Sequence, residues 1–405
     1  STYEVEMDVY NPNPKVYQVK SAVLQPNASQ NIGFEVFGEK GTYTSVLEVS
    51  SFPGVNLSQR LKYLIDYPHG CAEQLTSKGF PQLYLADFET LTTKQQQEVQ
   101  QNVSATIRKL SENQLPNGGF SYWQGSDYPD DWATSYIGQF YIEAEKRGFS
   151  LPAGSKVKWL SYQKMMARNW VYKGESSTFE QAYRLYTLAL ANSADIASMN
   201  RLREMSTSMV SNAACARLAA AYALAGQKKV AESLFSKVKL DSEEDDYFSY
   251  GSTLRNQAMG LETALLLGKA ELAADLALEI SDRLSSSEWL STQTTAYSLY
   301  AMARYVAKNK IGKNWTLNYQ LGKESATLSN SPSGYASKVL SASVGNHKIA
   351  LQNKSGVTLY ARVVSSGIPP VGKELVQENG LKISTSYTSK NGTPSVASLP
   401  QGTNF

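Results

Sequence analysis

One short segment of this sequence combines residue types that could carry out covalent chemistry. It reads YPHGCAEQ and runs from Tyr67 to Gln74. Pro68 and Gly70 favour the end of one helix, so Cys71 is predicted to stand on the first turn of the next helix. Unpaired backbone N–H groups at a helix start stabilise a thiolate and make it a better nucleophile. The segment therefore predicts an activated thiol.

The position of Gln74 suggests what that thiol could attack. It stands three residues after Cys71, which places its side-chain amide on the same helical face as the sulfur. Attack of the thiolate on the amide carbon, with loss of ammonia, would give an internal thioester. The product would be an activated acyl group stored in the chain. The residues alone leave a second interpretation open, in which Cys71 is a structural residue of a tight turn.

The composition limits the other function classes. The chain has 405 residues, with 39 Lys and Arg against 36 Asp and Glu, so its net charge is only +3. We expect no nucleic-acid partner, because such a partner requires clustered positive charge. Two cysteines allow one disulfide at most, and Cys215 is predicted to be a small core residue. With only two histidines as well, we expect neither a metal nor a cofactor.

The composition of the chain and the pattern at its two ends indicate where the protein acts and whether the sequence is part of a larger protein. No stretch has the length and apolar character of a membrane span. The polar but weakly charged composition, with 25 Tyr, is typical of an exported protein. The first residues already read as a strand, and the last five stop within a β pattern. We therefore interpret the chain as a piece of a larger protein.

The hydrophobic pattern divides the chain into three parts. Residues 1–50 alternate with a period of two, which is typical of antiparallel strands, and alternation returns from Trp315. Residues 56–313 have a helical period, and Asn56 is predicted to cap their first helix with Gln59 at the capping-box position. Because fifty residues of strand make a poor domain alone, we predict one β domain with the helical part inserted between its strands.

A loose repeat runs through the helical part. Five segments rich in small residues and aromatics recur about every two helices and are predicted to be inner helices that pack closely. Periodicity leaves both an open solenoid and a closed ring as alternatives. A separate segment, QLPNGGFSYW at 114–123, is predicted to connect two helices, with Phe120 and Trp123 plugging the rim. The five repeated segments are 132–148, 178–192, 213–226, 254–268 and 291–305.

These segments together resemble a known family. A Gly-Cys-x-Glu-Gln run is the hallmark of the thioester-containing proteins, the family of alpha-2-macroglobulin and complement, and it matches Gly70 to Gln74 here. The longer segment YLIDYPHGCAEQLTSKGFPQLYL resembles the bacterial alpha-2-macroglobulins in particular. NGGFSYWQG and EWLSTQTTAYSLYAMARY are similar to later parts of the same thioester domain. The resemblance covers at least residues 51–310.

The resemblance implies a multidomain α + β fold. A closed α/α toroid of the terpenoid-cyclase-like type, the thioester domain, would span 56–313. It would be inserted into a CUB-like antiparallel β domain formed by 1–55 and 314–356. Residues 357–405 would begin a macroglobulin-like β domain that the sequence leaves incomplete.

The resemblance also implies a function, that of a stoichiometric endopeptidase inhibitor rather than an enzyme. Cys71 and Gln74 would supply the sulfur and the acyl carbon of the thioester. Cleavage of a bait region elsewhere in the full protein would release the shielded bond, which would then acylate a Lys amine of the attacking protease. Tyr67 would shield the bond, and Glu73 would either orient it or favour the helix start.

The implied partners are therefore target endopeptidases and the other domains of the full-length protein. The implied location is the periplasm or the cell surface, and a lipid anchor outside this fragment is a further candidate.

Two departures from the family pattern bear on the chemistry. Complement-type members carry a downstream His that accepts the acyl group and passes it to hydroxyls, whereas this chain has no His between positions 70 and 346. His347 falls in the β part, and His69 is interpreted as an exposed loop residue. We therefore expect transfer to amines. Ala72 stands where the family usually has Gly, which removes some backbone freedom.

All but one of the other interpretations of the sequence lack a residue that the proposed chemistry would require. A cysteine hydrolase would pair Cys71 with His69, and a metal site would add Glu73, but no orienting group or fourth ligand is evident. A toroid enzyme of the cyclase type would need an acidic run that the acids at 127, 130 and 131 do not form. Acids at 243–246 read as a solvated loop rather than a calcium site. The main alternative is a covalent adhesin, in which the same thioester binds surface amines without a protease trigger.

Overall fold

The computed structural model of the chain describes residues 11, 13–67, 70–88, 91–205, 210–240, 251–286, 288–309, 314–329, 334–372 and 384. Several predictions from sequence fall outside these ranges: the first strand before residue 10, the loop at His69, the acids at 243–246 and a hairpin turn that the pair Asn391 and Gly392 indicates. The described part is a mixed fold in which strands stand before and after a helical block.

The strands form two antiparallel sheets of four strands each. The first sheet has the order β1-β8-β3-β6 and the second the order β2-β7-β4-β5, so each sheet combines strands from both sides of the helical block. The strands are β1 Val16–Leu24, β2 Ser29–Val36, β3 Thr44–Ser50, β4 Thr316–Leu321, β5 Glu324–Ser329, β6 Tyr335–Val339, β7 Gly345–Asn353 and β8 Leu359–Gly367.

Alternating residues build the core between the two sheets. In β2, Ile32, Phe34 and Val36 are buried while their neighbours are exposed, as the period of two predicts. Ile32 stands opposite Ile349 of β7 in the register, which places apolar side chains of both flanks in one core. The pairing of the two flanks across the helical block is therefore as predicted.

The last described strand corrects our domain boundary. We assigned the residues after 357 to a following domain, but β8 lies between β1 and β3 in the middle of the first sheet. The physical reason is that both of its faces are covered. Val363 enters the core of the two sheets, and the neighbouring Arg362 is buried on the opposite face, where it pairs with Glu48 and contacts Ser285 of the helical block.

The helical block contains the following described helices, with a short 3-10 helix at Pro81–Tyr84. They are α1 Leu57–Asp66, α2 Ala72–Gly79, α3 Leu85–Phe88, α4 Thr93–Ser111, α5 Asp131–Lys146, α6 Ser155–Asn169, α7 Glu175–Leu190, α8 Ile196–Arg203, α9 Asn212–Leu224, α10 Lys228–Phe235, α11 Thr253–Leu267, α12 Ala270–Ser285 and α13 Thr292–Asn309.

Six of these helices contact one another in a closed cycle. The order of contact is α2, α5, α7, α9, α11 and α13, and α13 contacts α2 again. The last five correspond to the repeated segments of the sequence, and they are buried over most of their surface. Five further helices, α1, α6, α8, α10 and α12, each contact two neighbours in this cycle. The described helices thus favour the closed alternative over the open solenoid.

A buried polar cluster joins the inner helices. Glu262 of α11 pairs with Arg217 of α9 at 2.9 Å and accepts hydrogen bonds from Tyr297 and Tyr300 of α13 at 3.0 and 2.7 Å. Tyr186 of α7 donates to the same carboxylate. Burial acts to raise the pKa of Glu262, but Arg217 and the tyrosine hydroxyls outweigh burial and hold the pKa below its ordinary value. The carboxylate therefore links four helices.

Three details differ from the sequence predictions. Helix α1 begins at Leu57 as expected, but Asn56 has φ of 48° and its amide donates to the Gln59 side chain instead of capping the helix. Trp123 is 59% exposed, whereas Phe120 is buried as predicted. Cys215 is only half-buried, and it forms no disulfide with Cys71. Within the described ranges, no helix is both long and apolar enough to span a membrane.

Candidate functional site

Cys71 occupies the start of helix α2, as the sequence predicts. It is the N-cap residue, with extended dihedral angles of φ −67° and ψ 165°, and its carbonyl accepts the first helical hydrogen bond from Leu75 at 3.0 Å. The residue is only 1% exposed. Its Sγ lies 3.4 Å from the hydroxyl oxygen of Tyr122, within hydrogen-bond distance for sulfur. The site is thus a buried thiol at a helix N-terminus.

The electrostatics of this thiol differ from the prediction. Burial raises the pKa of Cys71, and the hydrogen bond between the Cys71 sulfur and the Tyr122 hydroxyl, together with the backbone N–H groups of Gln74 and Glu73, only partly offsets that rise. A helix start alone would have lowered the pKa of the thiol. Because the pocket disfavours a free thiolate, it favours an uncharged form of the sulfur, either a thiol or a thioester.

Gln74, three residues after Cys71, carries an unsatisfied buried atom. Its side-chain Oε1 is shielded from solvent and has no hydrogen-bond partner among the residues that the structure describes. An unpaired buried carbonyl oxygen costs about 1–3 kcal/mol. A thioester carbonyl is a weaker acceptor than an amide carbonyl, so conversion of Gln74 into an acyl group would lower that cost. The arrangement thus suits an acyl donor better than a stable amide.

Glu73 is held inside the protein by two hydroxyl groups. Its carboxylate accepts hydrogen bonds from Ser77 of α2 at 2.6 Å and from Thr292, the first residue of α13, at 2.9 Å. Ser77 lies 3.0 Å from the hydroxyl of Tyr136 in α5. Burial raises the pKa of Glu73, and the two hydroxyl groups offset the rise only in part. Glu73 therefore links the turn that carries Cys71 to a neighbouring helix.

Tyr67 ends helix α1, four residues before the cysteine. It is half-buried, and its ring meets the ring of Tyr63 edge-on, with centroids 5.6 Å apart. The Tyr63 hydroxyl is buried with no hydrogen-bond partner in the described ranges, and burial raises its pKa to about 12. The structure thus places Tyr67 against Tyr63 at the end of α1. Its shielding role stays a prediction.

Tyr122 is the residue of this site that the sequence analysis missed. Its carbonyl accepts a hydrogen bond from the N–H of Ala72 at 2.9 Å, so the loop 114–123 is tied to the first turn of α2. The NGGFSYW segment had been recognised as a connection between helices, but nothing in its spacing relates position 122 to Cys71. The contact arises because the loop folds back against the start of α2.

The other candidate residues have structural roles or lie elsewhere. Asp130 caps α5 by accepting from Ala133 at 2.7 Å, and Asp131 pairs with the buried Arg184 at 2.9 Å. His347 is half-buried in β7, where its Nε2 lies 2.7 Å from the carbonyl oxygen of Ser343. The described residues contain no cluster of three or more His, Cys, Asp or Glu that could hold a metal ion.

Comparisons with known proteins identify related sequences. No family model matches the chain. The chain is 26% identical over 353 residues to the alpha-2-macroglobulin of Escherichia coli strain K12, a match that covers 81% of this chain and 20% of that protein. It is 27% identical over 271 residues to the alpha-2-macroglobulin of Xylella fastidiosa strain Temecula1, covering 61% and 16%. The chain therefore spans about a fifth of the length of these relatives.

Solved structures with the same fold carry the same name. Native alpha-2-macroglobulin from Escherichia coli, spanning domain MG7 to the C-terminus, matches with a TM-score of 0.69 and 21% identity over 88% of this chain and 58% of that one. Salmonella alpha-2-macroglobulin reacted with methylamine matches with a TM-score of 0.70 and 22% identity over 95% and 26%. Trypsin-activated alpha-2-macroglobulin from Escherichia coli matches with a TM-score of 0.55 and 22% identity over 88% and 25%. By sequence and by fold, this chain is a homologue of the bacterial alpha-2-macroglobulins.

Proposed function

We propose that this chain is the thioester-bearing part of an alpha-2-macroglobulin-like endopeptidase inhibitor, and that Cys71 and Gln74 form the thioester. The observation that carries the proposal is their joint placement. The thiol is buried at the start of α2, and the amide oxygen of Gln74, three residues on, is buried without a partner in the described ranges. The relatives supply the inhibitor function by homology.

The domain arrangement follows from the same relationship. The closed cycle of six inner helices supports an α/α toroid as the thioester domain. The two sheets, each built from strands on both sides of the helical block, support a CUB-like domain into which the toroid is inserted. Residues beyond β8 would begin the macroglobulin-like domain.

The chemistry of the trap requires no turnover. An amine of the target attacks the acyl carbon of Gln74, the carbon–sulfur bond breaks, and Cys71 is released as a thiol while the target remains attached through an amide. A Lys of a protease can supply that amine once bait cleavage exposes the bond. Reaction of the Salmonella relative with methylamine and activation of the Escherichia coli relative by trypsin support this sequence of events. An inhibitor of this kind would act outside the cytoplasm, in the periplasm or at the cell surface.

The thioester is tested on the full-length protein in a Cys215→Ala background, so that Cys71 is the one thiol of this part of the chain. The intact mass should be lower by one ammonia than the sequence mass. A thiol reagent should leave Cys71 unmodified until methylamine is added. Cys71→Ala is the matched control and should show neither effect. Full reactivity of Cys71 from the start, without ammonia loss or deamidation at Gln74, would contradict the thioester.

A second measurement separates an inhibitor from a covalent adhesin. The full-length protein is mixed with active trypsin or with trypsin whose active site has been blocked, and covalent conjugates are counted by denaturing electrophoresis. Conjugates that need active trypsin, and that are lost in Cys71→Ala, support the protease trap. Equal coupling to blocked trypsin or to simple amines without a protease would favour the adhesin.

A further inference from the structure

The contact between Tyr122 and Cys71 has a direct bearing on the chemistry of the sulfur. The Sγ of Cys71, which is the donor as a thiol, lies 3.4 Å from the hydroxyl oxygen of Tyr122, and the contact joins residues 51 positions apart in the sequence. A phenol hydroxyl can also donate, and sulfur accepts hydrogen bonds far better as a thiolate than as a thiol or thioester. The contact therefore gains strength when negative charge develops on the sulfur.

Backbone hydrogen bonds hold Tyr122 in this position. Its own carbonyl accepts from the N–H of Ala72 at 2.9 Å, one residue from the reacting cysteine. The preceding Ser121 donates its N–H to Asn113 at 2.9 Å, and Phe120 donates its N–H to the hydroxyl of Thr134 in α5 at 2.9 Å. Three successive residues of the loop are thus fixed to α5, to the segment after α4 and to α2, which pre-organises the phenol beside the sulfur.

The other groups around the sulfur oppose one another in their effect on its charge. Burial disfavours the thiolate, and the carboxylate of Glu73 disfavours it further, whereas the backbone N–H groups of Glu73 and Gln74 favour it. Among the described side chains, Tyr122 is the one that adds a hydrogen bond favouring the thiolate. A buried leaving group without such donors would hold its charge poorly, and acyl transfer would slow.

We infer that the Tyr122 hydroxyl donates a hydrogen bond to the Cys71 sulfur and stabilises its negative charge whenever the thioester forms or opens. The inference rests on the proposed thioester function. In the opening step the amine nitrogen bonds to the acyl carbon, and the carbon–sulfur electron pair passes to Sγ. The amine loses a proton to solvent, and the sulfur later takes one up. Tyr122 keeps its own proton throughout.

The first test uses a variant that cannot form the thioester. In the full-length protein with Gln74→Ala and Cys215→Ala, the Cys71 thiol is free, and its alkylation by iodoacetamide is followed as a function of pH. Adding Tyr122→Phe should raise the thiol pKa and slow alkylation near neutral pH about tenfold, the effect of one hydrogen bond to a charged group. Tyr128→Phe, which lies in the same connection between α4 and α5 but is 81% exposed, is the matched control. It should change neither the thiol pKa nor the alkylation rate. An unchanged or lower thiol pKa in Tyr122→Phe would overturn the inference.

The second test uses the protein that keeps Gln74 and in which the thioester has formed. Release of the Cys71 thiol by methylamine should be about tenfold slower in Tyr122→Phe than in Tyr128→Phe. The expected slowing should be larger for a weakly basic amine such as trifluoroethylamine, because departure of the sulfur then limits the rate. Faster release in Tyr122→Phe would show that the ring mainly shields the bond, and would overturn the inference. If the unmutated protein shows no ammonia loss, the proposed function fails, while the alkylation measurement still decides whether Tyr122 acts on the sulfur.

Discussion

The carboxylate of Glu73 and the hydroxyl of Thr292 lie 2.9 Å apart, although 219 residues separate them in the sequence. This hydrogen bond joins the first inner helix, α2, to the last, α13, directly beside the residue that carries the thiol. No Lys or Arg forms a salt bridge with Glu73 in the described part of the chain, so hydroxyl groups alone hold its carboxylate.

Glu73 should make stability depend on pH in a definite direction. Burial raises its pKa in the folded state, so the folded protein binds the proton more tightly than the unfolded chain does. The contribution of Glu73 to the free energy of unfolding is fully present below the ordinary pKa of a glutamate, about 4.3. It is lost as the pH rises through the raised pKa of Glu73 in the folded state.

The variant Glu73→Gln lacks this titration and keeps the hydroxyl donors. As the pH rises from about 4 to 7, the thermal midpoint of Glu73→Gln should therefore increase relative to that of the unmutated protein. The exposed Glu98→Gln serves as the control and should follow the unmutated protein at every pH. A constant difference for Glu73→Gln across this range would refute the assignment.

The buried ion pair between Arg217 and Glu262 should be sensitive to loss of one partner. Both side chains are almost fully shielded from solvent, and Arg217→Met would leave the carboxylate without its cation. Breaking a buried pair from one side typically costs about 3–5 kcal/mol of unfolding free energy. The double variant Arg217→Met with Glu262→Leu should recover only part of that loss, as measured by urea unfolding, because the tyrosine hydroxyls that donate to Glu262 lose their acceptor. A double variant no more stable than the single one would contradict this expectation.

Close helix packing at Gly138 leaves no room for a side chain. A Cβ built there would stand 2.2 Å from the Trp159 ring of α6, and that ring is fixed by its hydrogen bond to the Thr134 carbonyl at 2.9 Å. Gly138→Ala should therefore destabilise the protein by about 1–3 kcal/mol through overpacking. Gly33→Ala is the matched control, because no atom lies within 4 Å of its Cβ position and its φ is ordinary. Equal thermal midpoints for the two variants would argue against tight packing at α5 and α6.

The sequence was sufficient for the regular elements, and the reason is their periodicity. The five repeated segments match α5, α7, α9, α11 and α13 because helices buried on most sides carry small and aromatic residues throughout. Alternation indicated the buried face of β2 for the same kind of reason. Strand β8 was assigned to the wrong domain because alternation shows that a strand exists but not which strands it pairs with.

The chemistry of the site was predictable only where it is local. The spacing of Cys71 and Gln74 lies within one helical turn, so the sequence indicates their proximity directly. The contact of Tyr122 with the sulfur and that of Thr292 with Glu73 join distant segments, and only the packing of the helices brings them together. The pKa of Cys71 was predicted in the wrong direction because a helix start is visible in the sequence, whereas the degree of burial is not.

Tyr67 should control access to the thioester. It ends α1 beside Tyr63 and precedes the reactive turn, so loss of its ring would admit water and amine. Tyr67→Ala should speed both hydrolysis and methylamine release of the thiol by about tenfold, and Tyr67→Phe, which keeps the ring, should leave both rates unchanged. Release of the thiol is followed with a chromogenic disulfide reagent. Equal rates for Tyr67→Ala and Tyr67→Phe would contradict steric shielding.

The nucleophile preference of the thioester should follow from the absence of a His in the helical block. A hydroxyl attacks poorly near neutral pH unless a base or an acyl-imidazole intermediate assists it, whereas the unprotonated fraction of an amine attacks directly. No His occurs between positions 70 and 346, and His347 is half-buried in β7 of the second sheet, whereas Cys71 stands at the start of α2. We therefore expect amide products to dominate, which suits the capture of a protease through its lysines. Offered equal concentrations of methylamine and glycerol, the intact protein should carry methylamide on Gln74, as identified by mass spectrometry. His69→Ala should leave that product unchanged, and mostly glycerol ester that disappears in His69→Ala would instead identify His69 as the assisting imidazole.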